Sequence, residues 1–195
     1  MIRHLFCLVV FYLLSIHCFS QNKYEREQRI LRHQFPEKAL NYLSKEIEGA
    51  KRIRFYKERD SIKISFEAKF KKERLWYSVE FDKEGELEDV EINIEETDIP
   101  QASWENINIY LNNTFIKKRI KKIQQQYPAS REESTALTLK NAFQNLLLPS
   151  IRYEIIVSGK KEKVYGEYEL LFDASGNFKT IRKSLPANYE HVLYQ

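Results

Sequence analysis

The chain has 195 residues, of which 32 are basic and 28 acidic, for a net charge of +4. So small an excess argues against nucleic acid as a dedicated partner, and 43% hydrophobic residues are enough to build a core. Both cysteines, Cys7 and Cys18, lie near the N-terminus, so the rest of the chain has neither disulfides nor thiol chemistry.

Residues 1–20 read as a secretory signal peptide. Arg3 and His4 precede an almost wholly apolar run from Leu5 to Ile16, and Cys18-Phe19-Ser20 places small residues before a cleavage after Ser20. The run is too short to span a bilayer comfortably. His17 stands where lipoprotein processing wants a small residue, which argues against an anchor on Cys18. The expected location is periplasmic or extracellular. Loss of the leader leaves 31 basic against 28 acidic residues and a chain held together by its core alone. No later segment is apolar enough to be transmembrane.

Residues 23–33 (KYEREQRILRH) predict a short helix with sparse apolar points at Tyr24, Ile30 and Leu31. Phe35-Pro36-Glu37 restarts the chain. Ala39, Leu40, Leu43 and Ile47 recur at helical spacing until Gly49. Four alternating stretches follow, built on Ile53 and Phe55, on Ile62 to Phe70, on Leu75 to Phe81 and on Val90 to Ile94. They predict an antiparallel meander buried on one side.

Ile99-Pro100 opens the second half. Trp104, Ile107, Leu111, Phe115, Ile116, Ile120, Ile123 and Tyr127 predict one long amphipathic helix, weakest at Asn112-Asn113 and stopped by Pro128. Residues 129–150 read as an irregular insert with a short helix through Leu139, Phe143, Leu146 and Leu147. Strands follow at Tyr153 to Val157, Val164 to Phe172 and Phe178 to Ile181. The tail from Pro186 is expected to dock on the body.

A pattern recurs 91 residues apart: Tyr77-x-Val79-x-Phe81-Asp82-x-x-Gly85-x-Leu87 and Tyr168-x-Leu170-x-Phe172-Asp173-x-x-Gly176-x-Phe178. Each copy is an alternating strand, an Asp-x-x-Gly turn and a return strand. The fold class is therefore α+β with two tandem repeats, each a helix followed by an antiparallel β-meander, the helices covering one face of the sheet. The boundaries are 21–98 and 99–195, with the insert near 130–150. The same offset matches Ile64 with Ile155 and Phe66 with Val157, which predicts hairpins of equal length.

Phe35-Pro36-x-x-Ala39, Gly49-Ala50-Lys51 and the Tyr77 to Leu87 pattern, with weaker copies at Ile99-Pro100, Tyr127-Pro128-Ala129 and Tyr168 to Phe178, resemble the PepSY-like, β-lactamase-inhibitor-like proteins exported by Bacteroidetes. The resemblance covers roughly residues 35–185. It implies tandem helix-plus-sheet units outside the cytoplasm, and protein binding or inhibition by analogy only.

The chemistry is sparse. After the leader only His33 and His191 remain, far apart and without metal-ligand spacing. The G-x-S-x-G, H-E-x-x-H and phosphate-loop patterns are missing. Turn formation accounts for Asp82 and Asp173, and the other carboxylates are placed on solvent faces of strands. No enzyme, cofactor or metal is expected. The acidic stretch Glu84 to Asp98 reads as keeping a sheet edge soluble. Lys117, Lys118, Arg119, Lys121 and Lys122 read as a solvated helix face, or else as a contact with an acidic partner or an anionic envelope surface. Asp60-Ser61-Ile62 resembles the O-glycosylation triplet of Bacteroidetes.

The outward sheet face supplies the candidate site: Trp76, Tyr56, Arg54, Arg74, Tyr165, Ile156 and Leu171, a composition suited to a protein partner. The alternative is a carrier of a small ligand or lipid in a cavity between helices and sheet, against which the bulky core Phe and Tyr residues speak.

Overall fold

A computed structural model describes residues 22–23, 25–60 and 63–184. The cleavage after Ser20, the triplet at Ser61 and Ile62, His191 and the docking of the tail lie outside the described residues. In chain order the elements are β1 (Asn22–Lys23), β2 (Glu25–Ile30), α1 (Glu37–Leu43), β3 (Lys51–Asp60), β4 (Lys63–Lys72), β5 (Leu75–Asp82), β6 (Leu87–Asn93), α2 (Gln101–Thr114), β7 (Lys117–Pro128), α3 (Thr135–Phe143), β8 (Arg152–Lys161), β9 (Val164–Asp173) and β10 (Phe178–Ser184).

The strands form one sheet in the order β1-β10-β9-β8-β7-β6-β5-β4-β3-β2. Only β1 on β10 is parallel; every other neighbour is antiparallel. β1 and β2 are consecutive in the chain yet pair with opposite ends of this order. The sheet is therefore curled, so that one N-terminal segment reaches both its ends.

All three helices cover one face. Phe55, Phe70, Tyr77, Phe81, Ile155 and Phe172 from the sheet share a core with Leu43, Leu111 and Leu139 from the helices. Phe35, just ahead of α1, lies 4.9 Å from the Phe55 ring and 6.0 Å from that of Phe81. Phe143 at the end of α3 stacks on Tyr77 at 4.9 Å and on Phe70 at 6.1 Å. The insert thus seals the core of the first half.

The two Asp-x-x-Gly loops are built alike. Asp82 Oδ1 accepts from the backbone N–H groups of Glu84 and Glu86, and Asp173 Oδ1 from those of Ser175 and Asn177. Gly85 and Gly176 take φ of +78° and +80°. Burial pushes the Asp173 carboxyl up, but the backbone and side-chain amides of Asn177 and the Lys179 ammonium together outweigh it and hold the carboxyl below the usual aspartate range.

Four expectations fail. Residues 25–30 are a strand, not a helix: they pair with β3 throughout, and their dense charge suits the last position in the sheet order. The long helix stops at Thr114, and residues 117–128 form β7 between β6 and β8. A bulge between Ile120 and Lys122 is the cause. It inserts one residue, so Ile120 and Ile123 keep one face of a strand at a spacing that imitates a helix. The acidic stretch after the first hairpin is not at an edge, because β6 is paired on both sides. Finally, the hairpins differ in length. Phe81 stands opposite Phe66, whereas Phe172 stands opposite Tyr153 rather than Val157, so the β8–β9 hairpin is four residues longer.

Candidate functional site: a polar groove on the concave sheet face

Facing partners have side chains on the same side of a sheet. Glu67, Glu80 and Asp89 form one such row across β4, β5 and β6, and Lys69, Ser78 and Glu91 form the next. Across β7 and β8, Gln126 faces both Glu91 and Arg152, and Gln124 faces Glu154. All stand opposite the helix-covered face. Because the sheet curls, they enclose a groove of about 330 Å³ lined from β3 through β10. Six carboxylates line it (Glu58, Glu80, Asp89, Glu91, Glu154 and Glu169) against the cations Lys63, Arg152 and Arg182. The lining carries an excess of negative charge in a chain that is positive as a whole.

The groove floor is organised by hydrogen bonds. Gln126 Nε2 donates to Asp89 Oδ2 at 3.0 Å, and Gln124 Nε2 donates to Glu91. Asp89 keeps some solvent contact, but its Oδ1 is buried with no hydrogen-bond partner, as is Gln126 Oε1. Burial raises the Asp89 pKa, and the carboxylates of Glu80, Glu91, Glu154 and Glu88 push it further the same way.

Lys69 anchors one end. It pairs with Glu67 at 2.7 Å and Glu27 at 3.0 Å and lies 4.9 Å over the Tyr56 ring. Burial alone would lower its pKa, but Glu67 and Glu27 outweigh that and raise it. Carboxylate oxygens of Glu27, Glu58 and Glu67 lie within 4.8 Å of one another. The Lys69 ammonium bridges two of the three, Glu27 and Glu67.

The raised Asp89 pKa has a sign that can be tested. The folded state keeps this proton at pH values where the unfolded chain has released it. Stability must therefore fall as pH rises from the ordinary aspartate range through the raised value. Asp89→Asn should remove that part of the slope and stabilise the protein at neutral pH by about 1 kcal/mol or more. Urea midpoints measured across this pH range check it; an unchanged slope in the variant refutes it.

The seven sequence-derived residues divide into two groups. Tyr56, Ile156 and Leu171 are half-buried along the groove face, and Leu171 is one of its walls. Trp76 and Arg54 share that face but lie towards its end, outside the groove lining. Trp76 is 36% exposed, with the Arg52 guanidinium 5.6 Å and the Lys71 ammonium 6.0 Å from its ring. Tyr165, 60% exposed, sits opposite Lys160 at the tip of the β8–β9 hairpin. Arg74 occupies the turn between β4 and β5 and is off the sheet face. Asp89, Glu91, Gln124, Gln126 and Glu154 were missed, since carboxylates on strands were expected in water and β7 was read as a helix. Their signal was available in the alternation itself: Glu80, Asp89 and Glu91 share the phase of Trp76.

The space between helices and sheet is filled. Leu43, Phe70, Phe81, Ile107, Leu111 and Phe172 are all fully buried there. A depression of about 620 Å³ lies elsewhere, where residues 96–101 and Trp104 meet Leu147. Among the described residues no helix is long and apolar enough to cross a membrane.

No family model matches the chain, and no curated protein does. Among solved structures, the fold is similar to a candidate periplasmic protein of Bacteroides eggerthii, at 14% identity and TM-score 0.54, over 80% of this chain and 93% of the other. It is also similar to a DUF2874 family protein of Bacteroides ovatus, at 9% identity and TM-score 0.51, over 76% and 87%. A BLIP-like protein of Bacteroides fragilis is a further neighbour, at 13% identity and TM-score 0.49, over 76% and 86%. The structural neighbours are thus Bacteroides proteins of the DUF2874 and BLIP-like kinds, in line with the resemblance read from the sequence, and the first two place this chain in their α+β fold.

Proposed function

We propose that the chain is an exported, non-catalytic binding module that holds a protein partner against the concave face of its sheet. One observation carries this reading: a groove with an excess of carboxylates, flanked by half-buried Tyr56, Ile156 and Leu171, on the one sheet face that no helix covers. Such a groove fits a basic segment of a partner, because six carboxylates line it against three cations. Inhibitor-like action is an analogy of fold alone. The leader-like residues 1–20 support export, and the matching Asp-x-x-Gly loops support a duplicated unit. The carrier alternative is weaker, since large side chains fill the helix–sheet interface.

The test is capture from the envelope fraction of the source organism with wild type, Trp76→Ala, Leu171→Ala and Ile109→Ala. Ile109 is 59% exposed on α2 and serves as the control. Trp76→Ala should leave stability within about 1 kcal/mol of wild type and weaken capture at least about tenfold, the loss expected of an interface aromatic. Leu171→Ala should weaken capture as well. Equal capture of one partner by all four proteins would remove the sheet face from the reading.

A further inference from the structure

One end of the sheet carries charge of the sign opposite to the groove. There β7 begins, β8 ends and β9 begins, with Lys117 opposite Lys160 and Lys160 opposite Tyr165. This is the longer of the two hairpins, and its extra length has no counterpart in the first half. Lys117, Arg119, Lys161 and Lys163 are exposed, and Lys160 is half-buried. Glu162 is the single carboxylate within residues 116–122 and 159–165. The predicted run of cations is thus split between the faces of a strand. Lys118 turns back to donate to Asn112, and Lys160 and Lys161 at the end of β8 and Lys163 in the turn join the others.

The same end exposes apolar side chains that folding leaves in water. Ile116 is 67%, Val164 55% and Tyr165 60% exposed, and the Lys160 ammonium lies 6.0 Å from the Tyr165 ring. Cations alone would suit any polyanion. Cations interleaved with an exposed aromatic and aliphatic residues on a projecting tip suit a bilayer interface. There aromatic rings favour the headgroup level, and each nearby Lys or Arg strengthens attraction to anionic lipid. We propose that this end of the sheet is a docking surface for an anionic lipid bilayer, with Lys117, Arg119, Lys160 and Lys163 against the headgroups and Val164 and Tyr165 in the interface. The contact is independent of the groove, which stays open to its own partner.

The test is co-sedimentation of the full chain with phosphatidylglycerol–phosphatidylcholine vesicles and with phosphatidylcholine vesicles alone. All variants keep the same N-terminal residues, so any contribution of the apolar leader cancels. Wild type should bind the anionic vesicles, more weakly as salt rises. Lys117→Gln/Arg119→Gln/Lys160→Gln/Lys163→Gln should lose at least about a hundredfold in affinity. Val164→Ser/Tyr165→Ser should lose about tenfold while keeping the salt dependence. Lys83→Gln/Lys179→Gln, changed at the opposite end of the sheet, should bind as wild type. All these side chains are at least partly exposed, and an unchanged thermal midpoint shows that the variants fold. Equal binding to both kinds of vesicle, or wild-type affinity in the fourfold variant, overturns the proposal. So does self-association of wild type, without vesicles, that the fourfold variant abolishes: the occupant would then be a second copy. Binding to heparin with no binding to vesicles overturns it too.

Discussion

Phe81→Ala and Phe172→Ala should each destabilise the protein by about 3–5 kcal/mol, the cost of emptying a fully buried phenylalanine site. Both side chains are fully buried. Phe81 lies between sheet and α1, 6.0 Å from the Phe35 ring. Phe172 makes an edge contact with Tyr110 of α2 at 5.6 Å and another with Phe178 at 6.1 Å. Neither neighbourhood can collapse easily, because rings from a strand and from a helical segment meet there. Urea unfolding of the two variants checks the expectation. A loss below about 1 kcal/mol in both would mean that these rings do not sit at the helix–sheet interface.

Gly176→Ala should cost about 2–4 kcal/mol, and more than Gly85→Ala. Both glycines have positive φ, so any side chain is strained there. The difference lies in the space around them. A Cβ at Gly176 would meet Ser103 O at 2.1 Å, whereas at Gly85 the nearest atoms are Lys38 Cβ at 3.0 Å and Ala39 N at 3.1 Å. The Gly176 loop cannot give way without losing contacts: Ser103 Oγ donates to Ala174 O at 2.8 Å, and Asn106 Nδ2 donates to Ser175 O at 2.9 Å. Thermal midpoints of the two variants decide the order. Equal midpoints would show that the loop is not clamped to α2.

Where a residue's environment is set by its near neighbours, the sequence was a sound guide. The strands at Leu75 to Phe81 and Tyr168 to Phe172 alternate cleanly, and both Asp-x-x-Gly turns follow from an Asx side chain and one glycine. The errors arise where pairing from far along the chain decides. Residues 25–30 have no strand signal of their own and become a strand because β3 is there to pair with. In β7 the bulge after Ile120 converts strand alternation into a spacing of three, which periodicity reads as helix. That misreading hid Gln124 and Gln126, and with them the groove. The site was half legible for a related reason. Alternation places Trp76 and Leu171 on the uncovered face, but only the curl of the whole sheet turns that face into an enclosure that half-buries Asp89. Composition then misleads, because carboxylates on an uncovered face are ordinarily solvated.

The curl has a kinetic consequence. Asn22 pairs with Lys183 near the far end of the described chain, while its neighbours in β2 pair with β3. Contacts of such sequence separation carry a large loop-closure cost and form late. The β1–β10 contact should therefore be the last piece of the sheet to lock, and β10 can receive β1 only once β8 and β9 are in place. Until then β10 presents unpaired backbone. The slowest step of folding should thus be the one in which intermolecular pairing competes with closure, making refolding yield sensitive to protein concentration.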